Sequence, residues 1–380
     1  MKFNANVSII LPVLSALQKV INKKAVLDVL RHVLLRKVDG KYFLTASTSE
    51  NELTMPVEIA EVDMANFKSC CIDVEKIIPI LGTLGDQLLE FDLDGDYRMK
   101  VNYDGGSFAV PYYAGDVFPI LPAVNEPVVT FSIPTDIFLK NVLAAQTFAD
   151  NDPATLRPVM ASVLLDVDNE GCTFVGTCGH TLYRNRYYHG VPFLAQGEPQ
   201  QIMIPQAFVR TLTNPLRKTE MVTISCDVNR ICITAGDVKF VMRSVEGRYP
   251  NYNSVIPKSN PHHILVNKAA LQKSLQRVSL LSSSISNQVC FCRDQKGFFL
   301  SAEDFDFSTT GQEHVACEDI VLPEGFKIAL KASVVQQVLG NMESDNVRLE
   351  LTDPSRPVLI KENDEKSQLL GLVMPMVLTN

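Results

Sequence analysis

The 380-residue sequence has no tryptophan, no C-x-x-C pair and no apolar run long enough to cross a bilayer. The missing tryptophan carries no clear consequence, but the other absences each remove a class of protein. The longest apolar stretches, "IILPVLSAL" from Ile9 and "LLGLVMPMVL" from Leu369, fall short of the roughly 18 residues a spanning helix needs, so no membrane partner is expected. The N-terminal "MKFNANVSII" has one early lysine but no apolar core ending at a small-residue cleavage site, so no secretory leader is expected and a cytoplasmic address follows. Nine cysteines are scattered apart from Cys70–Cys71 and Cys290/Cys292; they read as reduced, mostly buried thiols rather than a disulfide or zinc framework. "YDGG" and "DNEG" are turns, without the lysine and helix of a phosphate loop. Cys178 and His180 in "TCGHTLYRNR" share a strand face by alternation, but no second ligand pair and no orienting carboxylate accompany them. The acidic "SAEDFDFS" reads as a solvated strand end. No cofactor, metal or catalytic constellation is expected.

What is present is ample core material, 46% hydrophobic residues, arranged three times over. "KYFLTASTSENEL" from Lys41, "CTFVGTCGHTLYR" from Cys172 and "GFFLSAEDFDFST" from Gly297 are each a strand-like run followed by a polar step. They recur at roughly 130 residues, a domain-sized period well beyond solenoid repeats. Each repeat opens on a helix candidate, at 7–24, 133–148 and 266–281, and holds a second, at 73–84, 205–218 and 331–342. In the first, Ile10, Val13, Leu14, Leu17 and Ile21 keep one apolar stripe. The repeats close on "SFAVPYY", "KFVMRSV" and "LLGLVMPM", so the apolar tail is the last strand of the third. The connectors "GDVFPILPAVNEP" and "GRYPNYNSVIPKSNP" separate domains expected at 1–125, 126–258 and 259–380. The expected class is α+β, with sheets covering paired helices.

The net charge is −8, which spread evenly would argue against nucleic acid. It is not spread evenly. The six helix candidates carry Lys19, Lys23, Lys24, Lys76, Lys140, Arg210, Arg217, Lys218, Lys268, Lys273, Arg277 and Lys331, against only Asp73, Glu75 and Asp136. Solvated helices interleave Glu with Lys at i,i+4; a basic face on every helix suits a polyanion. With no aromatic interleaving and no recognition helix, contact with phosphates and indifference to base sequence are expected.

Taken in order along the whole chain, the triplicated basic-helix domains, "GHTL", "VEGRYPNYNSVIP", "NVRLELTD" and "VMPM" resemble the bacterial sliding clamps, the beta subunits of DNA polymerase III. The resemblance implies three clamp-type domains, each with two helices on antiparallel sheets, and a head-to-tail homodimer that closes a ring around duplex DNA. It implies a non-enzymatic processivity factor that tethers the replicative polymerase alpha subunit, the clamp loader and other motif-bearing proteins. The twelve basic residues above would then face DNA. Partner peptides would enter a hydrophobic pocket matched here by Arg157, Met160, Thr177, Gly179, His180, Thr181, Leu182, Pro257, Val334, Leu372, Met374, Pro375 and Met376, the methionines suiting varied peptides. Where Cys178, Thr181 and Val334 stand, the family commonly has Asp, Arg and Tyr, so the rim here is smaller and less charged. At the dimer contact Phe108 and Val110 would meet Leu280 and Leu281 of the other subunit. The rival reading is an acidic protein-interaction scaffold that does not encircle DNA.

Overall fold

The computed structural model describes residues 1–65, 67–151, 157–189 and 199–378. The first third of the chain runs β1 (Lys2–Asn6), α1 (Val7–Gln18), β2 (Val33–Val38), β3 (Lys41–Ser47), β4 (Asn51–Pro56), β5 (Ala60–Asp63), β6 (Ser69–Ile72), α2 (Val74–Leu81), β7 (Leu88–Leu93), β8 (Arg98–Tyr103) and β9 (Gly106–Ala114). The second runs β10 (Val129–Pro134), α3 (Thr135–Phe148), β11 (Ser162–Val167), β12 (Gly171–Thr177), β13 (Thr181–Tyr188), β14 (Gln200–Pro205), α4 (Gln206–Leu216), β15 (Met221–Cys226), β16 (Arg230–Ala235) and β17 (Val238–Arg243). The third runs β18 (His262–Asn267), α5 (Lys268–Ser279), β19 (Gln288–Asp294), β20 (Gly297–Asp304), β21 (Thr309–His314), β22 (Cys317–Val321), β23 (Lys327–Lys331), α6 (Ala332–Gly340), β24 (Asn346–Leu351), β25 (Val358–Glu362) and β26 (Leu370–Val373). Strand, helix, a set of strands, helix, three strands: the order is the same each time, and the α+β repeat read from the sequence is the architecture.

The six helices sit where the periodicity puts them, but they are shorter. α1 buries Val7, Ile10, Leu14 and Leu17 and stops at Gln18, so Lys19, Ile21, Lys23 and Lys24 lie beyond it. The cause is Asn22, whose side-chain oxygen accepts from the Lys24 N–H at 2.9 Å while its carbonyl accepts from Ala25, an Asx-type turn that outcompetes another helical turn. α2 begins where Asp73 caps the Glu75 N–H at 3.1 Å, and α5 where Asn267 caps Ala270 at 3.0 Å. Arg217, Lys218 and Lys331 likewise fall just outside α4 and α6. Within the first and third repeats the two helices pack together, and α3 meets α4 through a reciprocal amide pair, Gln146 Nε2 to the Gln206 carbonyl at 3.1 Å and Gln206 Nε2 to the Gln146 carbonyl at 3.3 Å.

The chain divides into two compact units. The first, from the described parts of Met1–Lys140 and Ala207–Glu246, contains a 13-stranded sheet in the order β10-β15-β16-β17-β4-β3-β2-β6-β9-β8-β7-β1-β5. The second, from those of Asn141–Pro192, Glu198–Gln206 and Gly247–Asn380, contains a nine-stranded sheet, β14-β11-β12-β13-β26-β25-β24-β18-β22, and a four-stranded one, β21-β20-β19-β23. Each long sheet is two repeats joined edge to edge by the last strand of one and an early strand of another: β17 pairs β4 with Phe240 opposite Leu53, and β26 pairs β13 with Gly371 opposite Tyr183. Two glycines permit this packing. A Cβ on Gly176 would lie 1.9 Å from the Ala145 carbonyl of α3, and one on Gly371 would lie 2.3 Å from Val338 of α6.

Candidate partner-binding site and basic surface

The apolar tail is fastened to two strands in succession. After Val373 pairs with Thr181, the Met374 N–H donates to the His180 carbonyl at 2.9 Å and the Met376 N–H to the Ala329 carbonyl at 2.8 Å. Met376 and Leu378 pack over Cys290, Cys292 and Ala329 beside Phe299, whereas Met374 remains 37% exposed. So Met376 covers core and Met374 offers a free apolar side chain. Asn380 and the residue before it lie outside the described residues.

Opposite the tail stands the turn between β12 and β13. Thr177 Oγ1 donates to the Thr181 carbonyl at 2.6 Å and accepts the Gly179 N–H at 3.1 Å, which closes the turn with Gly179 at φ +89°. Gly179 and His180 are exposed. A Cβ at Gly179 would sit 3.6 Å from Met160 Cε, and Met160 Sδ lies 3.9 Å from Arg157 Nη1, so Arg157, Met160 and Gly179 form one continuous wall. Leu182 and Leu372 face each other across the β13–β26 pair and are buried, at 1% and 3%; they are the floor beneath the site. Pro257 and Val334 are half-buried, Val334 on the helix whose Val338 packs against Gly371. Among the described residues, no hydrogen bond ties these two to the turn.

The smaller rim expected from the sequence has a visible consequence. Cys178 Sγ approaches Thr181 Oγ1 at 3.3 Å, so the two short side chains satisfy one another instead of reaching outward. The connector contributes residues to which the sequence assigned no site role: Tyr249 is 2% exposed, and Tyr252 donates to Asp166 Oδ2 at 2.7 Å. Aromatics inside a proline-bearing connector were the available signal. Burial pushes both phenols well above their ordinary range, so they stay neutral. Among the described residues, no group of three His, Cys, Asp or Glu side chains could hold a metal, and the His180 imidazole has no carboxylate partner. All nine cysteines are free thiols, seven of them buried.

Of the basic residues, Lys23 pairs with Glu75 at 2.8 Å, Lys76 with Asp73 at 3.1 Å, and Arg277 with Glu313 through two bonds at 2.9 and 2.5 Å. Arg277 holds the Glu313 carboxyl below its usual range. Lys268 donates to the Met342 carbonyl at 2.7 Å. Lys140 lies exposed on α3. Lys19, Lys24, Arg210, Arg217, Lys218, Lys273 and Lys331 are exposed and make no ion pair among the described residues. The free cations are therefore fewer than the sequence count suggested.

Residues 253–377 match the family model for the C-terminal domain of the DNA polymerase III beta subunit. The chain is 23% identical to the beta sliding clamp of Synechocystis, covering 97% of each, and 25% identical to that of Pseudomonas putida, covering 99% of this chain and all of that one. Along its whole length the chain is thus similar to beta sliding clamps. Its fold matches, over the full length of both chains, the griselimycin-bound DnaN sliding clamp of Pseudomonas aeruginosa (TM-score 0.89, 21% identity) and the beta subunit of Thermotoga maritima (TM-score 0.85, 22% identity).

The four residues expected at a subunit contact differ in exposure. Leu280 is 83% exposed, Leu281 and Phe108 are half-buried, and Val110 is already 6% exposed within the single chain. Val110 is thus part of the chain's own core. Leu281 lies under β21, where a Cβ at Gly311 would be 2.2 Å from it and where Thr309 Oγ1 donates to its carbonyl at 3.1 Å. No helix among the described residues is long and apolar enough to cross a membrane.

Proposed function

We propose that two copies of this chain close head to tail into a ring that slides on duplex DNA in the cytoplasm and carries partner proteins by their peptides. It is a processivity factor and performs no catalysis. The three repeats are taken as domains at 1–125, 126–258 and 259–380. The observation that carries the reading is an arithmetic of strand edges. By sheet register Phe108, Phe240 and Gly371 are equivalent, each opposite the matching residue of its own repeat's sheet, namely Val101, Ile233 and Ile360. Leu53, Tyr183 and Gly311 are equivalent in the same way, opposite Ala46, Gly176 and Ala302. Two of the three possible pairs are made within the chain, Phe240 with Leu53 and Gly371 with Tyr183. The third, Phe108 with Gly311, is left over: among the described residues β9 from Gly106 to Pro111 pairs only with β8, and β21 only with β20. Each copy has one leftover edge of each kind, so two copies satisfy both. Exposed edges of this sort otherwise invite aggregation.

Phosphate contacts from unpaired cations such as Lys19, Arg210 and Lys273 would be weak, hydrated and repetitive, which permits sliding; closure rather than affinity retains the ring. Replacing these three by Glu should slow loading and flatten the dependence of log affinity on log salt by about one unit per lost phosphate contact, read by titrating duplex binding against salt. The free Met374, the wall of Arg157, Met160 and Gly179 and the turn at His180 are assigned to the partner peptide. The deciding experiment is retention on nicked circular DNA, in high salt, after loading by the cognate loader. The protein should stay on the circle and leave after one restriction cut; equal retention on both forms would mean ordinary binding, and absence from both with working controls would favour the scaffold.

A further inference from the structure

The three repeats differ in what covers their outer sheet face. In the first, Thr45, Ser47, Glu52 and Thr54 occupy that face on β3 and β4 and are 0, 0, 4 and 5% exposed. The connector after β9 comes onto this face: Phe118 packs on Leu30, Leu34 and Cys71, and the Leu121 N–H donates to Glu52 Oε2 at 2.9 Å. In the second, the equivalent Val175, Thr177 and Leu182 are buried and Arg184 is half-buried, and the connector after β17 lays Tyr252 onto Asp166 of β11. In the third, the equivalent residues are Ser301, Glu303, Thr310 and Gln312; the first is half-buried and the other three are exposed. Leu378 reaches the Cys290–Ala329 position that Phe118 takes in the first repeat, but beyond it lies an open groove of about 500 Å³ floored by these four residues, with Lys327 at its side.

We infer that this groove is a second docking site, which takes an extended, proline-bearing, basic segment of a partner protein in the place that the chain's own connectors take in the other two repeats. The conformation follows from those occupants: the chain leaves the short 3-10 turn Gly115–Val117 extended at Phe118 and runs to Pro122 without helix or strand, as Arg248–Asn251 does before the 3-10 turn Tyr252–Val255, and each is anchored by an aromatic ring. The charge follows from the lining, where Glu303, Asp304 and Asp306 outnumber Lys327. The site is compatible with ring closure, because at the β17–β4 junction a neighbouring strand takes the edge while the connector takes the face. It is separate from the turn at His180 and the free Met374.

The test uses the full-length protein and a fluorescein-labelled peptide of residues 115–123 with Asp116→Lys, followed by anisotropy. Saturable binding is expected, weakened at least tenfold by Glu303→Lys, which changes an exposed side chain, and abolished by Ser301→Trp, which fills the groove. Excess peptide from a polymerase's clamp-binding segment should not displace it, and Glu303→Lys should leave retention on circular DNA intact, so failure here is distinguishable from failure of the ring. No saturable binding, binding indifferent to both substitutions, or displacement by the polymerase peptide would each overturn the proposal.

Discussion

Cysteines placed at Ala109 and Thr310 should join two copies into a covalent ring under mild oxidation, and the ring loaded on nicked circular DNA should then survive detergent. The register makes this specific. Phe108 opposite Gly311 of a second copy places Ala109 opposite Thr310, just as Val241 stands opposite Glu52 at the β17–β4 junction. Directly opposed residues of an antiparallel pair have Cα atoms roughly 4.5–5.5 Å apart, within disulfide range. Both positions are exposed, while seven of the nine native thiols are buried. The expected product is a dimer bearing two disulfides, seen on non-reducing gels as one closed species with DNA circles trapped inside. Either single variant should give none. Cross-linking confined to monomers, or circles lost in detergent from the fully oxidised double variant, would reject the edge assignment.

Removing everything after Val373 should lower affinity for a polymerase-derived clamp-binding peptide by thirtyfold or more while leaving the dimer unchanged in sedimentation. The deletion takes away the exposed Met374 and the two bonds that hold the tail, to His180 and to Ala329. Burying one methionine against a ligand contributes about 1.5–3 kcal/mol, already ten- to a hundredfold. β9 and β21 are untouched, so the subunit contact should persist. Because the deletion also uncovers Cys290 and Cys292, Met374→Ala is the milder companion, expected to cost about tenfold with the tail's backbone still in place. Unchanged peptide affinity in both would remove the pocket assignment.

How legible this was in the sequence depended on the range of the interaction. The helices announced themselves because an apolar stripe at 3.6-residue spacing is a local pattern; the end of α1 did not, because an Asn22 side chain decides it against the apolar count. The tail read correctly as a final strand, yet its departure after Val373 to two different carbonyls is a matter of which strands lie nearby. Val110, Leu182 and Leu372 carried the right residue type for a contact surface and are buried instead, since hydrophobicity alone does not separate a core from an interface. Lys23, Lys76 and Arg277 counted as free charge until the fold placed Glu75, Asp73 and Glu313 beside them.

The sequence by itself determined the threefold repeat, the α+β class, the basic bias of the helices and the resemblance to the sliding clamps. All of these rest on periodicity, composition or ordered motifs, which are properties of neighbours along the chain. Only the tertiary structure decided which strand edges remain open, which cations remain unpaired and which sheet face lies uncovered. Those are properties of what is left over once distant segments have satisfied one another, and a leftover is visible only when every partner has been placed.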